Sequence, residues 1–338
     1  MAYKKACITD MDDLLIGQIS DHTAWTGCTV LLFKNGAVGG VDQRGGSPGT
    51  RETDLLRPMH MVDRVHAVVL AGGSAFGLDA ASGVMRYLEE HKIGFDTGFA
   101  RVPIVPAAIL YDLGVGDASQ RPDSEMGYQA CSQASSVKPQ SGNFGAGTGA
   151  SVGKILGMGQ AMKSGIGSAA VEISPGLYVG AIIAVNAFGD VVDPHTGNIL
   201  AGTRSIQKGP LKIGEEKYFA NTQLVMLSMI GKTALQFASK SNTVIGAVVT
   251  NASLGKEETN KVAQMAQDGL ARVIRPAHTM FDGDTIFALS TGRKKCDVNT
   301  IGAFAADMVA EAIVDAVTSA EPIPQLPSNQ SLQTNHLD

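Results

Sequence analysis

Short apolar runs bounded by glycine alternate along the chain with longer segments of helical hydrophobic spacing. Residues 65–70 are an apolar run that ends at Gly72 and Gly73, which predicts a buried strand followed by a turn. Residues 177–187 and 243–250 are apolar and rich in β-branched side chains. Because such side chains suit a pleated, buried surface, both segments are predicted to be core strands.

Three segments have the spacing of amphipathic helices. Apolar residues recur at helical intervals over residues 78–88, 262–273 and 305–317. Ser74 precedes the first segment and is predicted to be its N-cap, and Glu257 belongs to an acidic start of the second. Strands and helices together predict an α/β (α+β) protein whose sheet packs against helices.

The chain is predicted to contain one large domain, over residues 1–320. Residues 321–338 are rich in Pro, Gln, Ser and Asn and are predicted to be a loose C-terminal tail. Residues 205–240 differ, because a run of lysines and glutamates leads into an apolar stretch at 224–227. Two interpretations stay open for this segment: a surface insertion, which we favour, and a peripheral helix.

Composition excludes several classes of protein. The 338 residues are 44% hydrophobic and 17% charged, which is enough for a large core and argues against disorder. A net charge of −5 without a long Lys/Arg block argues against nucleic-acid binding. No apolar stretch is long enough to span a membrane, and the N-terminus lacks the apolar core of a signal peptide. The 4 scattered cysteines are typical of reduced thiols in a cytoplasmic protein.

Two glycine-rich motifs resemble functional loops but lack their full patterns. Residues 145–154 end in Lys154 but do not match a phosphate-binding P-loop. They predict either a glycine-rich turn packed against backbone or a loop that places Lys154 in a pocket. Ser74 lies in a GxSxxG sequence, whereas a nucleophile elbow needs GxSxG, so the N-cap role is favoured.

The histidines and the paired carboxylates argue against a metal site. The 7 histidines show no HExxH or HxH pattern, so no metal or other cofactor is expected. His278 lies close to Asp282 and Asp284, which leaves a Cys/Ser–His–Asp arrangement open. On sequence alone the two aspartates are favoured to form a solvated turn before a strand. The Gly/Pro-rich residues 44–56 predict either a loop that lines a site or a solvated turn.

Three Asn-Thr bonds are candidates for self-cleavage. They are Asn221–Thr222, Asn242–Thr243 and Asn299–Thr300, and the first two precede apolar runs. A threonine that cuts the bond before itself would expose its own amino group, which then serves as the base for its hydroxyl. Residues alone do not choose between the first two bonds.

Seven segments, taken in order, resemble the P1 family of self-processing peptidases. This group contains the D-aminopeptidase DmpA, the β-peptidyl aminopeptidases and the nylon-oligomer endo-hydrolases. Each segment is weak alone, but their order and spacing are specific, and the resemblance covers most of the chain. The segments are 44–53, 70–78, 109–112, 145–154, 185–186, 242–245 and 282–285.

The resemblance implies a fold and a set of site residues. The fold is an αββα sandwich like that of amino-terminal-nucleophile hydrolases, with different chain connections. Cleavage at Asn242–Thr243 gives an α chain of 1–242 and a β chain of 243–338, with Thr243 as nucleophile. Asn186 matches the oxyanion-stabilising asparagine. The remaining matches are to the site lysine, the paired acidic residues and a substrate-pocket tyrosine, which are Lys154, Asp282, Asp284 and Tyr111.

The same resemblance implies an amide hydrolase that acts on a small peptide or linear amide. Aminopeptidase activity is favoured, and an endo-type hydrolase of nylon-like oligomers, an acyl transferase of the ornithine-acetyltransferase kind and a non-enzymatic scaffold stay open. Thr243 stands where the aminopeptidase branch has serine. Assembly into a homo-oligomer, a tetramer of processed heterodimers, is also implied.

Overall fold

A computed structural model describes residues 4–207, 212–214, 218–237 and 242–334. Its strands are β1 (Lys4–Ala6), β2 (Leu14–Asp21), β3 (Thr26–Gln43), β4 (Thr50–Arg51), β5 (Arg64–Ala71), β6 (Phe95–Asp96), β7 (Arg101–Val102), β8 (Ala107–Ile109), β9 (Ser151–Val152), β10 (Met162–Lys163), β11 (Ile166–Ser174), β12 (Leu177–Asn186), β13 (Asp190–Val192), β14 (Ile199–Ala201), β15 (Thr243–Ala252), β16 (Ile274–Arg275) and β17 (Thr285–Lys294). Its helices are α1 (Ala80–Glu90), α2 (Ser124–Ser132), α3 (Thr222–Leu227), α4 (Met229–Phe237), α5 (Lys256–Val273), α6 (Val298–Thr318) and α7 (Asn329–Thr334).

Ten strands form one sheet in the order β1-β11-β12-β15-β17-β3-β5-β8-β4, with β2 paired to β3. The pairs β15–β17 and β5–β8 are parallel, and the other pairs of this sheet are antiparallel. The long strand β3 joins two halves of the sheet. Its first part pairs with β2 and β5, and its last part pairs with β17.

The two halves of the sheet pack face to face between layers of helices. Along β15, Val244 and Val248 face the core beneath α5 and α6, whereas Ile245 and Ala247 face the core between the two halves. Along β5, Val68 faces this inner core and its neighbours face α1 and α2. Successive side chains of a strand point to opposite faces. These strands are apolar on both faces, which explains their nearly continuous apolar sequences.

The predicted strands and helices are present with small shifts at their ends. The run at 65–70 is β5, the runs at 177–187 and 243–250 are β12 and β15, and the three helical segments are α1, α5 and α6. The N-cap prediction for Ser74 is wrong. Gly73, in a left-handed conformation with φ 80°, precedes a 3-10 helix over Ser74–Asp79, and α1 starts only after it.

Two expectations for the second half of the chain need revision. The predicted loose tail packs against the protein over residues 326–329, because Leu326 and Ser328 are buried and Asn329 Nδ2 donates to the Leu200 carbonyl at 2.7 Å. Within 205–240, helices α3 and α4 favour the peripheral-helix interpretation over an insertion. Residues 208–211, 215–217, 238–241 and 335–338 lie outside the described part of the chain.

The described helices include none that is long and apolar enough to cross a membrane. The four cysteines carry free thiols, and Cys28 and Cys131 are buried.

Candidate active site

The ends of three neighbouring strands converge on Thr243. β15 begins at Thr243, which pairs with Asn186 at the end of antiparallel β12. Asn242 forms a parallel bridge with Asp282, just before β17. Because β12 runs opposite to β15 and β17 runs with it, the end of one strand and the starts of two meet at one edge of the sheet. Asn186, Thr243 and Asp282 therefore come together although they are far apart in sequence.

The Asn242–Thr243 peptide is buried, with Asn242 2% and Thr243 3% exposed. The Thr243 hydroxyl lies against the Asn242 carbonyl and donates a short hydrogen bond to its oxygen. The same carbonyl oxygen accepts the backbone N–H of Gly283 at 3.0 Å. The Thr243 hydroxyl and the Gly283 N–H thus both contact the Asn242 carbonyl group. Acyl transfer to a hydroxyl requires a nucleophile and an oxyanion donor at the same carbonyl.

Asn186 is fully buried, and Lys154 is bound to it. Lys154 Nζ donates to Asn186 Oδ1 at 2.6 Å and to the Asn186 carbonyl at 3.1 Å. The backbone N–H of Ser151 donates to the same Oδ1 at 3.1 Å. These donors fix which side of the amide carries the oxygen. Its Nδ2 donates to the Tyr111 carbonyl at 2.9 Å.

Asp284 is anchored on both of its carboxylate oxygens. Oδ1 accepts the backbone N–H of Val244, the residue after the candidate nucleophile, at 2.9 Å. Oδ2 pairs with His278 Nδ1 at 2.8 Å and accepts the His278 backbone N–H at 3.1 Å. His278 itself has φ 57°. The pair thus holds the first residues of β15 in place.

Asp282 anchors the turn that precedes Gly283. Its Oδ1 accepts the Phe188 N–H at 3.1 Å, and its Oδ2 accepts the backbone N–H and hydroxyl of Thr279. Asp282 is 2% and Asp284 1% exposed. The expectation of a solvated acidic turn is therefore wrong, because backbone donors replace water around both carboxylates.

Burial shifts the pKa of two site residues toward neutrality. Removal of water lowers the pKa of Lys154 to about 7, although the nearby carboxylates of Asp282 and Asp112 partly oppose the shift. Burial also raises the pKa of Asp282 to about 6, and the charge of Asp284 adds to the rise. Hydrogen bonds from Thr279 and Phe188 lower the pKa of Asp282 only in part. Perturbed groups of this kind cluster at functional sites.

Tyr111 contacts the site through its backbone. Its carbonyl accepts Asn186 Nδ2, whereas the residue is 37% exposed. The next residue, Asp112, was given no role from sequence. It is buried, accepts the Gly73 N–H at 2.7 Å and the Thr26 hydroxyl at 2.8 Å, and helps to set the Lys154 pKa.

The loop at 44–49 packs against the acidic turn, which supports its predicted role at a site. Ser47 N donates to the Asp282 carbonyl at 2.8 Å, and Arg44 N donates to the Asp284 carbonyl at 3.0 Å. A Cβ atom at Gly45 would lie 2.2 Å from the Asp282 oxygen, so this approach requires glycine.

The glycine-rich segment 145–154 is a turn packed against backbone that also places Lys154. A second buried lysine, Lys163, supports it and was missed from sequence. Lys163 Nζ donates to the carbonyls of Gly147 and Ala150, each at 3.1 Å, and to that of Ser164. Burial lowers the pKa of Lys163 to about 7. A lone lysine among small and apolar residues at 161–167 was the only available signal.

The other two Asn-Thr bonds have different surroundings. Asn221 is the N-cap of α3, and the buried Thr222 hydroxyl donates to Asp190 Oδ1 at 2.7 Å. Thr300 lies in α6 and is exposed. Within the described ranges, no cluster of at least three His, Cys, Asp or Glu side chains suits a metal ion.

Comparisons with known proteins identify the family of the chain. The model of Peptidase family S58 matches residues 6–330. An uncharacterized aminopeptidase of Mycobacterium leprae is 42% identical over 97% of this chain and 94% of its own length. A 6-aminohexanoate-oligomer endohydrolase of Kocuria sp. is 29% identical over 91% of this chain and 84% of its own length.

A solved structure shows the same fold. The L-aminopeptidase D-Ala-esterase/amidase of Ochrobactrum anthropi, described as a variant of the Ntn hydrolase fold, aligns with a TM-score of 0.70. The alignment covers 98% of this chain and 94% of the other at 17% identity. The predicted fold class is therefore confirmed. The chain belongs to peptidase family S58 and is a hydrolase of peptide or amide bonds.

Proposed function

We propose that the protein cleaves its own Asn242–Thr243 bond and then hydrolyses amides with Thr243 as an amino-terminal nucleophile. The domain over residues 1–320 would thus be divided into an α chain of 1–242 and a β chain that starts at Thr243. The observation that carries the proposal is the contact between the Thr243 hydroxyl and the Asn242 carbonyl, with Gly283 N–H on the same oxygen.

Self-cleavage proceeds through an ester. Thr243 Oγ1 attacks the Asn242 carbonyl carbon, the C–N bond breaks, and the hydroxyl proton ends on the Thr243 nitrogen. Water then hydrolyses the ester and releases the Asn242 carboxylate. Buried surroundings favour this route, because fixed donors replace the water that would otherwise solvate the developing charge.

Turnover reuses the same hydroxyl with a new base. The freed α-amine of Thr243, with an ordinary pKa of about 8, takes the hydroxyl proton as Oγ1 attacks the substrate carbonyl. Threonine's branched Cβ restricts the rotamer of the hydroxyl. Asn186 donates from its amide to the substrate oxyanion, since Lys154 and Ser151 hold the amide oxygen on the other side. Asp284 fixes the backbone beside the nucleophile.

Aminopeptidase activity on small peptides is the favoured form of the reaction, in line with the aminopeptidase name of the Mycobacterium leprae relative. One observation favours the endo-type alternative. An aminopeptidase needs an acidic group for the substrate ammonium, and the oxygens of both Asp282 and Asp284 already accept donors from the protein. The 6-aminohexanoate-oligomer endohydrolase relative is consistent with that alternative.

Two assays test the proposal. A Thr243→Ala protein should remain one polypeptide and lack amidase activity, whereas Thr300→Ala, at the exposed Asn-Thr bond, should be cleaved and active. Hydrolysis of an amino-acid p-nitroanilide is then compared with that of its N-acetyl form. Loss of activity on the acetylated substrate identifies an aminopeptidase, and equal activity identifies an endo-type amidase. Cleaved Thr243→Ala protein would refute the proposed nucleophile.

We also propose a homo-oligomer, a tetramer of processed heterodimers, in the cytoplasm. Several large apolar side chains are more than half exposed, which supports association between subunits; they include Met59, Met61, Phe99, Leu227 and Met229. Four free thiols support a reducing compartment. Native mass spectrometry of the purified protein measures the subunit number, and a monomer would contradict the first claim.

A further inference from the structure

The peptide group between Asp282 and Gly283 is held from both sides. Its carbonyl oxygen, on Asp282, accepts Ser47 N–H at 2.8 Å. Its N–H, on Gly283, donates to the Asn242 carbonyl oxygen at 3.0 Å. The flanking carboxylates are fixed by Phe188 and Thr279 on one side, and by Val244 and His278 on the other. This N–H is thus a preorganised donor.

We propose that the Gly283 N–H is the oxyanion donor for self-cleavage, while Asn186 serves the substrate in turnover. This inference rests on the proposed function. As Thr243 Oγ1 bonds to the Asn242 carbonyl carbon, the carbonyl oxygen becomes an oxyanion, and the N–H that already binds it strengthens its bond. When the C–N bond breaks, the charge returns to form the ester carbonyl. No further reactant is required until water hydrolyses that ester.

Two donors are needed because two different carbonyls react. In the uncleaved chain the Asn242 carbonyl is bound by Gly283, whereas the Asn186 amide donates to the Tyr111 carbonyl and accepts from Lys154. After cleavage the Asn242 carboxylate is free to leave. A substrate carbonyl then meets Thr243 Oγ1 with its oxygen toward the Asn186 amide.

Glycine is required at 283 for space. A Cβ atom there would lie 2.5 Å from the Ser47 oxygen and 2.9 Å from Thr243 Oγ1. The φ angle of Gly283 lies outside the left-handed region, so conformational freedom is not the reason. Only a residue without a side chain lets the donor and the nucleophile reach the same carbonyl. Gly283→Ala should accordingly slow self-cleavage, and cleavage at the wild-type rate would contradict this requirement.

The direct test replaces the Gly283 N–H with an ester oxygen, which removes this donor and also makes the Asp282 carbonyl a weaker acceptor for Ser47 N–H. Glycolic acid is inserted at position 283 of the full chain by nonsense suppression in cell-free translation, and glycine inserted in the same way is the reference. The matched control places glycolic acid at Gly197, whose N–H also donates to a carbonyl, that of Asp193 at 2.9 Å, in an open turn. The fraction cleaved is followed in time on the folded precursor, isolated by size exclusion.

The expected result is a loss of about 10²- to 10³-fold in cleavage rate for the ester at 283, with the ester at 197 unchanged. Cleavage of the 283 ester within about threefold of the reference would overturn the assignment of this donor and leave the proposed function intact. A reference protein that is itself never cleaved would overturn the proposed function and this inference with it.

Discussion

Lys154 Nζ lies 2.6 Å from Asn186 Oδ1, and this contact determines which way the Asn186 amide faces. The backbone N–H of Ser151, which can only donate, lies 3.1 Å from the same atom, so this atom is the amide oxygen. The amide's NH2 is therefore turned away from Lys154, and it donates to the Tyr111 carbonyl. A lysine whose pKa is lowered to about 7 thus positions a neighbouring polar group without touching the reacting bond.

The orientation of Asn186 predicts a specific loss in Asn186→Asp. The substitution keeps the oxygen for Lys154 and Ser151 but replaces the donor NH2 by a second acceptor. We expect kcat for amide hydrolysis to fall by about 10²- to 10³-fold, the usual effect of removing one oxyanion donor. Steady-state kinetics on an anilide substrate measure it.

The matched control is Asn251→Asp, at a buried asparagine near the other end of β15. Its side chain accepts Tyr178 N–H and donates to the Gly176 carbonyl, each at 2.9 Å. It should leave kcat within about threefold of wild type after correction for folded protein. Equal losses in the two variants would show that Asn186 acts through stability alone.

The contact between His278 and Asp284 predicts that the His278 ring positions the Asp284 carboxylate. His278→Gly removes the ring that pairs with Asp284 Oδ2, and glycine tolerates the φ of 57° at this position. Loss of one hydrogen bond to a buried carboxylate corresponds to a decrease of about 10-fold in rate. We therefore expect the rate of self-cleavage and kcat for amide hydrolysis both to fall by that factor, with KM little changed. Time-resolved gels and steady-state kinetics measure the two rates. The exposed His195→Gly is the control, and unchanged rates in His278→Gly would contradict the positioning role.

The rate of self-cleavage is predicted to increase as the pH rises through about 6, because burial raises the pKa of Asp282 to about 6. Below that pH, Asp282 is protonated and one of its oxygens carries a hydrogen where it must accept a bond from Phe188 or Thr279. The turn that carries Gly283 then loosens and cleavage slows. In the precursor the Thr243 nitrogen is an amide, so it does not titrate.

The comparison protein for this pH series is Asp282→Asn, which should cleave slowly and without a rise near pH 6. Removal of the Asp282 charge also lowers the pKa of Lys154 further, so the two profiles differ through both groups, and the loss of the rise near pH 6 is the change assigned to Asp282. Rates are measured on precursor refolded at each pH. The same midpoint in both proteins would assign the titration to another group.

The lowered pKa of the buried Lys163 predicts that the free energy of unfolding depends on pH. Its pKa is about 7 in the folded protein and 10.5 in its ordinary state, so between these values the unfolded chain binds the extra proton. Stability from this group therefore increases as pH rises from 7 toward 10. The slope is at most about 1.4 kcal/mol per pH unit for one proton.

The measurement is urea unfolding at pH 7.5 and 9.5 of the uncleaved Thr243→Ala protein, with and without Lys163→Met. The free energy of unfolding of the lysine protein relative to the methionine protein should be larger at the higher pH. A difference that stays constant with pH would mean that Lys163 remains charged when folded.

Periodicity in the sequence was sufficient to predict the elements that carry the site. Strands such as β15 and helices such as α5 and α6 follow from local spacing, because a buried face repeats along each of them. The N-cap prediction at Ser74 failed because Gly73, in a left-handed conformation, precedes a 3-10 helix over Ser74–Asp79, and α1 begins only at Ala80.

The chemistry of the site was less predictable from residues alone. Asp282 and Asp284 look like a surface turn in sequence, and they are buried only because backbone N–H groups distant in sequence, such as those of Phe188 and Val244, meet them. Local sequence also does not distinguish Thr222 from Thr243. The structure distinguishes them, because the Thr222 hydroxyl is bound to Asp190 whereas that of Thr243 lies on the preceding carbonyl.

Intact mass spectrometry of the purified, active wild-type protein, combined with N-terminal sequencing of each species, shows whether Thr243 begins a chain. Self-cleavage should give two polypeptides, residues 1–242 and a chain that begins Thr-Val-Ile-Gly at position 243. A fully active preparation that contains only the single chain of 338 residues would contradict it.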